Sequence, residues 1–140
     1  MNKIFSLFLI LFTNSLLISQ NNYFLPNKIL NPSIQSPEQF LGYPIGSHHT
    51  RYDKLVEYMQ YLAKASDRVL VQKIGETNEH RDQIIVTFAK PENLKNLENI
   101  RKAHLESIDA NTTKIMAKNE PIIVWLGYNV HGNEPSGGEA

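Results

Sequence analysis

His131 and Glu134 stand three residues apart in the stretch Gly127-Tyr-Asn-Val-His131-Gly-Asn-Glu134-Pro-Ser-Gly-Gly-Glu139-Ala140. An imidazole and a carboxylate at that spacing converge on one cation if the chain turns between them, and Gly132 removes the side chain that would obstruct the turn. The spacing alone is weak. With five histidines and ten glutamates in 140 residues, about 0.4 such pairs arise by chance. The context is stronger: the pair follows the apolar run Pro121-Ile-Ile-Val-Trp-Leu126, and Pro135 is suited to open a helix behind Glu134. The plain alternative is a surface loop in which His131 hydrogen-bonds Glu134.

Composition narrows the chemistry further. There is no cysteine, so disulfides, thiolate nucleophiles and Cys-based zinc sites are excluded, and any metal is bound through nitrogen and oxygen. Fourteen basic and fourteen acidic side chains cancel. No long-range field recruits a polyanion, so nucleic acid is not an expected partner. With 41% hydrophobic and 20% charged residues the chain reads as an ordinary globular protein of one domain at most.

The elements that must position the pair are legible by period and punctuation. Lys3 precedes an apolar core, Ile4 to Phe12, broken by Ser6 and followed by polar Thr13, Asn14 and Ser15. A bilayer span needs about 20 residues, so this length fits a secretory signal instead. Cleavage is expected before Gln20, giving a signal peptide at 1–19 and no stable membrane span afterwards; the alternative is an anchor joining Ile4–Phe12 to Leu16–Ile18. Residues 20–49, with Pro26, Pro32, Pro37 and Pro44, read as an extended lead-in.

Thr50 then offers a hydroxyl cap, and Tyr52, Leu55, Val56, Met59, Leu62 and Ala63 recur at helical spacing, predicting a helix over about 51–65. The β-branched runs Val69–Ile74 and Gln83–Ala89 predict two antiparallel strands joined by the polar stretch Gly75–Asp82. Pro91 opens a second helix whose apolar face is Leu94, Leu97, Ile100, His104, Leu105 and Ile108. After a polar linker at 109–120, the run Pro121–Leu126 predicts a strand buried on both faces. The order helix, strand, strand, helix, strand is an α/β arrangement. Ligand sites in open α/β sheets lie beyond the C-terminal ends of strands, which is where His131 and Glu134 would fall.

The stretch Trp125-Leu-Gly-Tyr-Asn-Val-His-Gly-Asn-Glu-Pro-Ser-Gly-Gly-Glu-Ala140 resembles the first zinc-binding motif of the carboxypeptidase A-like metallopeptidase family, in particular its large exported bacterial members. Tyr43-Pro-Ile-Gly-Ser47, the Thr50 helix, Ile74-Gly75-Glu-Thr-Asn-Glu with Arg81, and Pro91-Glu-Asn-Leu with Ile100-Arg101 and His104-Leu105 resemble the family in the same order. The resemblance implies a helix-flanked mixed β-sheet, with residues 50–140 as the N-terminal, incomplete part of a catalytic domain. It also implies an exported protein, periplasmic or extracellular, that hydrolyses the C-terminal bond of a peptide or protein substrate.

By similarity His131 and Glu134 are two ligands of one Zn2+. A third, a histidine, together with the general-base glutamate and the substrate-binding arginine, is expected from later in a family member's chain than Ala140. The 140-residue chain alone is accordingly expected to be inactive. Two positions depart from the family. His80 stands where many relatives have glycine before the turn arginine, and Asn133 stands where many carboxypeptidases have arginine before the ligand glutamate.

The wording His-Gly-Asn-Glu also occurs in related zinc-dependent deacylases of N-acyl amino acids, which is the second reading. The third is a non-catalytic binding module or pseudoenzyme. His48 and His49 read as loop or cap residues, and His104 as a packed histidine with a local hydrogen bond. Glu139 reads as a first-turn carboxylate favoured by the helix dipole. Arg81 and Asp82 read as turn residues, and Trp125 as core.

Overall fold

The structure, a computed structural model, describes residues 30–113, 119–128, 131 and 137–138. The chain divides into Met1–Pro32 and Ser33–Ala140, and every described element lies in the second unit. The expected signal peptide, the front of the lead-in, Gly132, Asn133, Glu134, Pro135 and Glu139 fall outside the described residues.

The lead-in is not extended throughout. Ser36 opens a short helix, α1 (Pro37–Leu41), with a reciprocal capping box. The Gln39 N–H donates to Ser36 Oγ at 3.3 Å, and the Ser36 N–H donates to Gln39 Oε1 at 2.9 Å. Pro37 at the first helical position gives up an N–H that has no helical acceptor anyway. Gly42, at φ 82°, ends the helix in a left-handed conformation that a Cβ would disfavour. Four prolines read as breakers; one of them is a helix starter.

α2 (Tyr52–Ala65) forms where the 3.6-residue period predicts it. Its start differs from expectation. Arg51 is the capping residue and makes no side-chain cap bond, while the Thr50 hydroxyl pairs with Tyr43 Oη at 2.9 Å. Tyr58 is the one buried large side chain among the described residues. It packs with Phe40 of α1, ring centroids 5.2 Å apart, and lies 6.1 Å from Tyr61; Phe40 and Tyr61 are also 5.2 Å apart. Each such aromatic pair contributes about 0.5–1.5 kcal/mol beyond area burial.

β1 (Val69–Glu76) and β2 (Asp82–Phe88) make the expected antiparallel hairpin, running from Val69 opposite Phe88 to Glu76 opposite Asp82. The register slips between Lys73 and Gly75, so Ile74 is an extra residue on β1, a bulge. The connection is held by Thr77, whose N–H donates to the Arg81 carbonyl at 2.9 Å while its carbonyl accepts from the His80 N–H at 2.9 Å. The Thr77 hydroxyl also accepts from the N–H groups of Glu79 and Arg81. His80 takes up the turn at φ 58°.

The helix expected after Pro91 is two helices. α3 (Pro91–Lys95) is one turn with Pro91 at its start, and α4 (Leu97–Ile108) follows after Asn96 departs to φ −107°, ψ 15°. Asn is a poor helix former because its side chain finds local partners, and here Asn96 Oδ1 accepts from Asn99 Nδ2 at 2.6 Å. The Asp109 carboxylate then accepts from the Asn111 N–H at 2.9 Å as the chain leaves α4.

The largest correction concerns Pro121–Leu126. This stretch is not a strand and is not buried: Ile122 is 86% exposed, Val124 74% and Trp125 75%. A strand covered on both faces needs a neighbouring strand and a helix on each side. The described sheet has two strands, and Pro121–Leu126 pairs with neither. Trp125 is therefore a surface residue rather than core. The protein is a mixed α/β chain with a two-stranded antiparallel sheet, α2 resting on β1 and α1 on α2.

Candidate metal centre

Gly127 and Tyr128 carry the irregular 121–128 stretch toward His131, which sits exposed at a bend. A Cβ on Gly127 would lie 3.5 Å from the Trp125 indole nitrogen, an ordinary contact, so that glycine is not forced by crowding. Exposure leaves the His131 imidazole reachable by a hydrated ion. Glu134, its expected partner, lies outside the described residues, and so does the helix start expected at Pro135. Of that helix Gly137 and Gly138 are described, in a 3-10 turn. Among the described residues no three acidic or histidine side chains gather where a metal ion could sit.

The other sequence-noted histidines separate by environment. His48 Nδ1 is 2.8 Å from Ser47 Oγ, and its ring lies 4.8 Å from that of Tyr43, which agrees with a loop role. His80 Nδ1 is 3.6 Å from a Glu76 carboxylate oxygen. His104 departs from expectation: its Nδ1 is buried and has no hydrogen-bond partner, so the local bond expected for it is not made at that nitrogen.

Two hollows accompany these residues. The larger, about 630 Å³, lies between the start of α2 and the end of the hairpin turn, lined by Arg51, Tyr52, Val56, Arg81 and Asp82 among others. Its two guanidiniums are already paired, Arg51 with Asp53 at 2.9 Å and Arg81 with Glu79 at 2.9 Å. Partial burial, then the nearby Asp82 charge, raises the Tyr52 phenol above its ordinary value, and that hydroxyl donates to the Asp82 carbonyl. The sequence marked Arg81 and Asp82 as turn residues; Arg81 closes the turn, but Asp82 is already the first residue of β2, paired with Glu76. What it did not expose was that α2 comes back against them. The smaller hollow, about 270 Å³, lies against α4 and includes His104 and Glu120.

Beside the hairpin turn, Lys73 Nζ lies 2.6 Å from a carboxylate oxygen of Glu76 and 2.6 Å from one of Asp82. Hydrogen bonds to Asp82 and then Glu76 push the Lys73 ammonium up to about 12, and the Lys73 bond holds the Glu76 carboxyl below its ordinary range. The cluster staples the two strands next to the bulge. Its ammonium is shared by two carboxylates, so it serves as a structural cross-link.

No family model, curated protein or solved structure matches this chain.

Proposed function

We propose that this chain carries two zinc ligands, His131 and Glu134, of a metallocarboxypeptidase that is exported and hydrolyses C-terminal peptide bonds. The observation that supports this is the stretch Trp125–Ala140, with its His-x-x-Glu pair bounded by glycines, preceded in family order by the segments around Tyr43, Gly75, Arg81 and Pro91. The exposed position of His131 is compatible with a ligand role. In this reading the described hairpin and helices belong to a larger helix-flanked mixed sheet.

His131 would hold Zn2+ through an imidazole nitrogen and Glu134 through its carboxylate, both ordinary zinc donors. Bound there, zinc would supply an acidified water and a polarised substrate carbonyl. The apolar leader Ile4–Phe12 supports export. Among the described residues no helix is long and apolar enough to cross a membrane. The shared wording His131-Gly-Asn-Glu134 keeps zinc-dependent deacylation of N-acyl amino acids as the second reading.

Zinc titration of the purified chain by calorimetry, with His131→Ala and Glu134→Ala alongside, tests the ligand assignment. One zinc per chain is expected, with binding weakened in both variants. Identical zinc affinity in all three proteins would remove the assignment.

A further inference from the structure

We propose that residues 122–126 form a self-pairing surface: two copies of this chain join through antiparallel pairing of the run, with Val124 of one copy opposite Val124 of the other. Ile122, Ile123, Val124, Trp125, Leu126 and Tyr128 are between 50% and 86% exposed. Six such side chains present on the order of 800 Å² of surface, the scale of one partner's share in a stable interface. Among the described residues, no backbone N–H or C=O of 121–128 takes part in a backbone hydrogen bond. A β-branched, aromatic run with an unpaired backbone and no charge is a template for another strand.

The order of residues selects a second copy as the strand that pairs. Centring the pair on Val124 sets Ile122 opposite Leu126 and Ile123 opposite Trp125, each contact occurring twice, as a two-fold interface between identical chains requires. An aromatic side chain facing a β-branched one is a favourable cross-strand combination. The same register puts Pro121, which has no N–H to give, opposite Gly127, so the ladder ends where a donor is missing. Centring on Ile123 would bring Pro121 into the ladder opposite Trp125, and centring on Trp125 would set Gly127 opposite Ile123. Val124 is the centre that keeps both at the ends.

Charge favours the same occupant. The formal net charge is zero, so two copies approach without mutual repulsion. An anionic lipid surface is a poor alternative, because Glu120 precedes the run and no lysine or arginine stands from Asn119 to Ala140. The association is governed by concentration: on dilution the copies separate and the run stands in water. The pairing rests on residues 121–127 and does not depend on the zinc reading of His131.

Sedimentation of the full chain across about a hundredfold dilution tests the association by mass action and needs no variant. A species of twice the single-chain mass is expected at the concentrated end, giving way to single chains on dilution. Single chains at every concentration would overturn the proposal. The register is read with one introduced thiol, since the chain has no cysteine of its own. In Val124→Cys the two thiols meet at the two-fold axis, their Cα atoms about 4.5–5.5 Å apart and within disulfide reach. In Ile122→Cys, a position at least as exposed, the two thiols stand four residues out of register, about 14 Å apart and beyond that reach. With oxidised glutathione as oxidant, covalent dimer is expected to accumulate from Val124→Cys and not from Ile122→Cys. Equal cross-linking of both, or none in Val124→Cys, overturns the pairing, and association through the apolar leader or any other surface gives one of those two results.

Discussion

The Tyr58 hydroxyl donates to the main-chain carbonyl of Gln35 at 3.1 Å, tying the one well-buried aromatic of α2 to a residue 23 positions earlier. Gln35 is held at its other end too, since its N–H donates to Tyr61 Oη at 2.8 Å. Two tyrosines nearly one helical turn apart thus satisfy both backbone groups of one residue and place α1, with Phe40, on the helix.

Tyr58→Phe keeps the ring and removes only the bond to Gln35. A loss of about 1 kcal/mol is expected, the usual contribution of one intramolecular hydrogen bond. Tyr58→Ala also removes the packing and should cost about 3–5 kcal/mol. Urea denaturation of both variants checks the ordering: no loss in Tyr58→Phe would show that the hydroxyl contributes nothing, and equal losses would show that the ring packing adds nothing to it.

His80 occupies the left-handed region at φ 58°, where an L-residue costs roughly 1–2 kcal/mol relative to glycine. Its 3.6 Å approach to Glu76 is an exposed contact, with the His80 side chain 88% exposed, and offsets little of that strain. His80→Gly should therefore raise stability, by about 1 kcal/mol or somewhat less once the added freedom of the unfolded chain is counted. A lower denaturation midpoint in this variant would mean that the histidine makes a stabilising contact outweighing its strain.

The Lys73 cluster gives the hairpin a pH dependence of defined sign. Lys73 holds the Glu76 carboxyl below its ordinary value of 4.5, so the stabilisation is present above that value and is lost as the pH falls through the depressed one. At the alkaline end the Lys73 ammonium, raised from 10.5 to about 12, contributes below 10.5 and loses its effect as the pH climbs toward 12. Lys73→Met removes both linkages at once. The expected result is a flatter profile of thermal midpoint against pH at the acid end, and a profile parallel to wild type would contradict the cluster.

Local chemistry accounts for which elements were legible in the sequence. The β-branched runs at Val69 and Gln83, the period running from Tyr52 to Ala63, and Pro91 as a helix start all act within a few residues, and each appears where expected. Ser36-Pro-Glu-Gln39 is just as local but was masked by the prolines around it. Thr50 reads as a cap until Tyr43 takes its hydroxyl, a competition set by a residue seven positions away. His104 and Glu120 come to line one hollow only when the chain folds back on α4, and no periodicity encodes that. His131 stands out in the sequence because glycines and an apolar run frame it, and its ligand role is a proposal.

The stretch Pro121–Leu126 is where sequence and structure part, and one substitution separates them. An apolar, β-branched run expresses a demand for burial but does not name the surface that meets it. Val124 is 74% exposed, between Ile123 at 50% and Trp125 at 75%. Val124→Lys should then change the free energy of unfolding by no more than about 0.5 kcal/mol, as surface substitutions do. It should also reduce binding of a hydrophobic dye and lower light scattering, because a charge interrupts a run with no charge of its own from Pro121 to Tyr128. Were Val124 instead in a strand covered on both faces, the same lysine would bury an unpaired charge and destabilise the protein by several kcal/mol. Chemical denaturation of this variant therefore decides whether the run stands in water or inside a sheet.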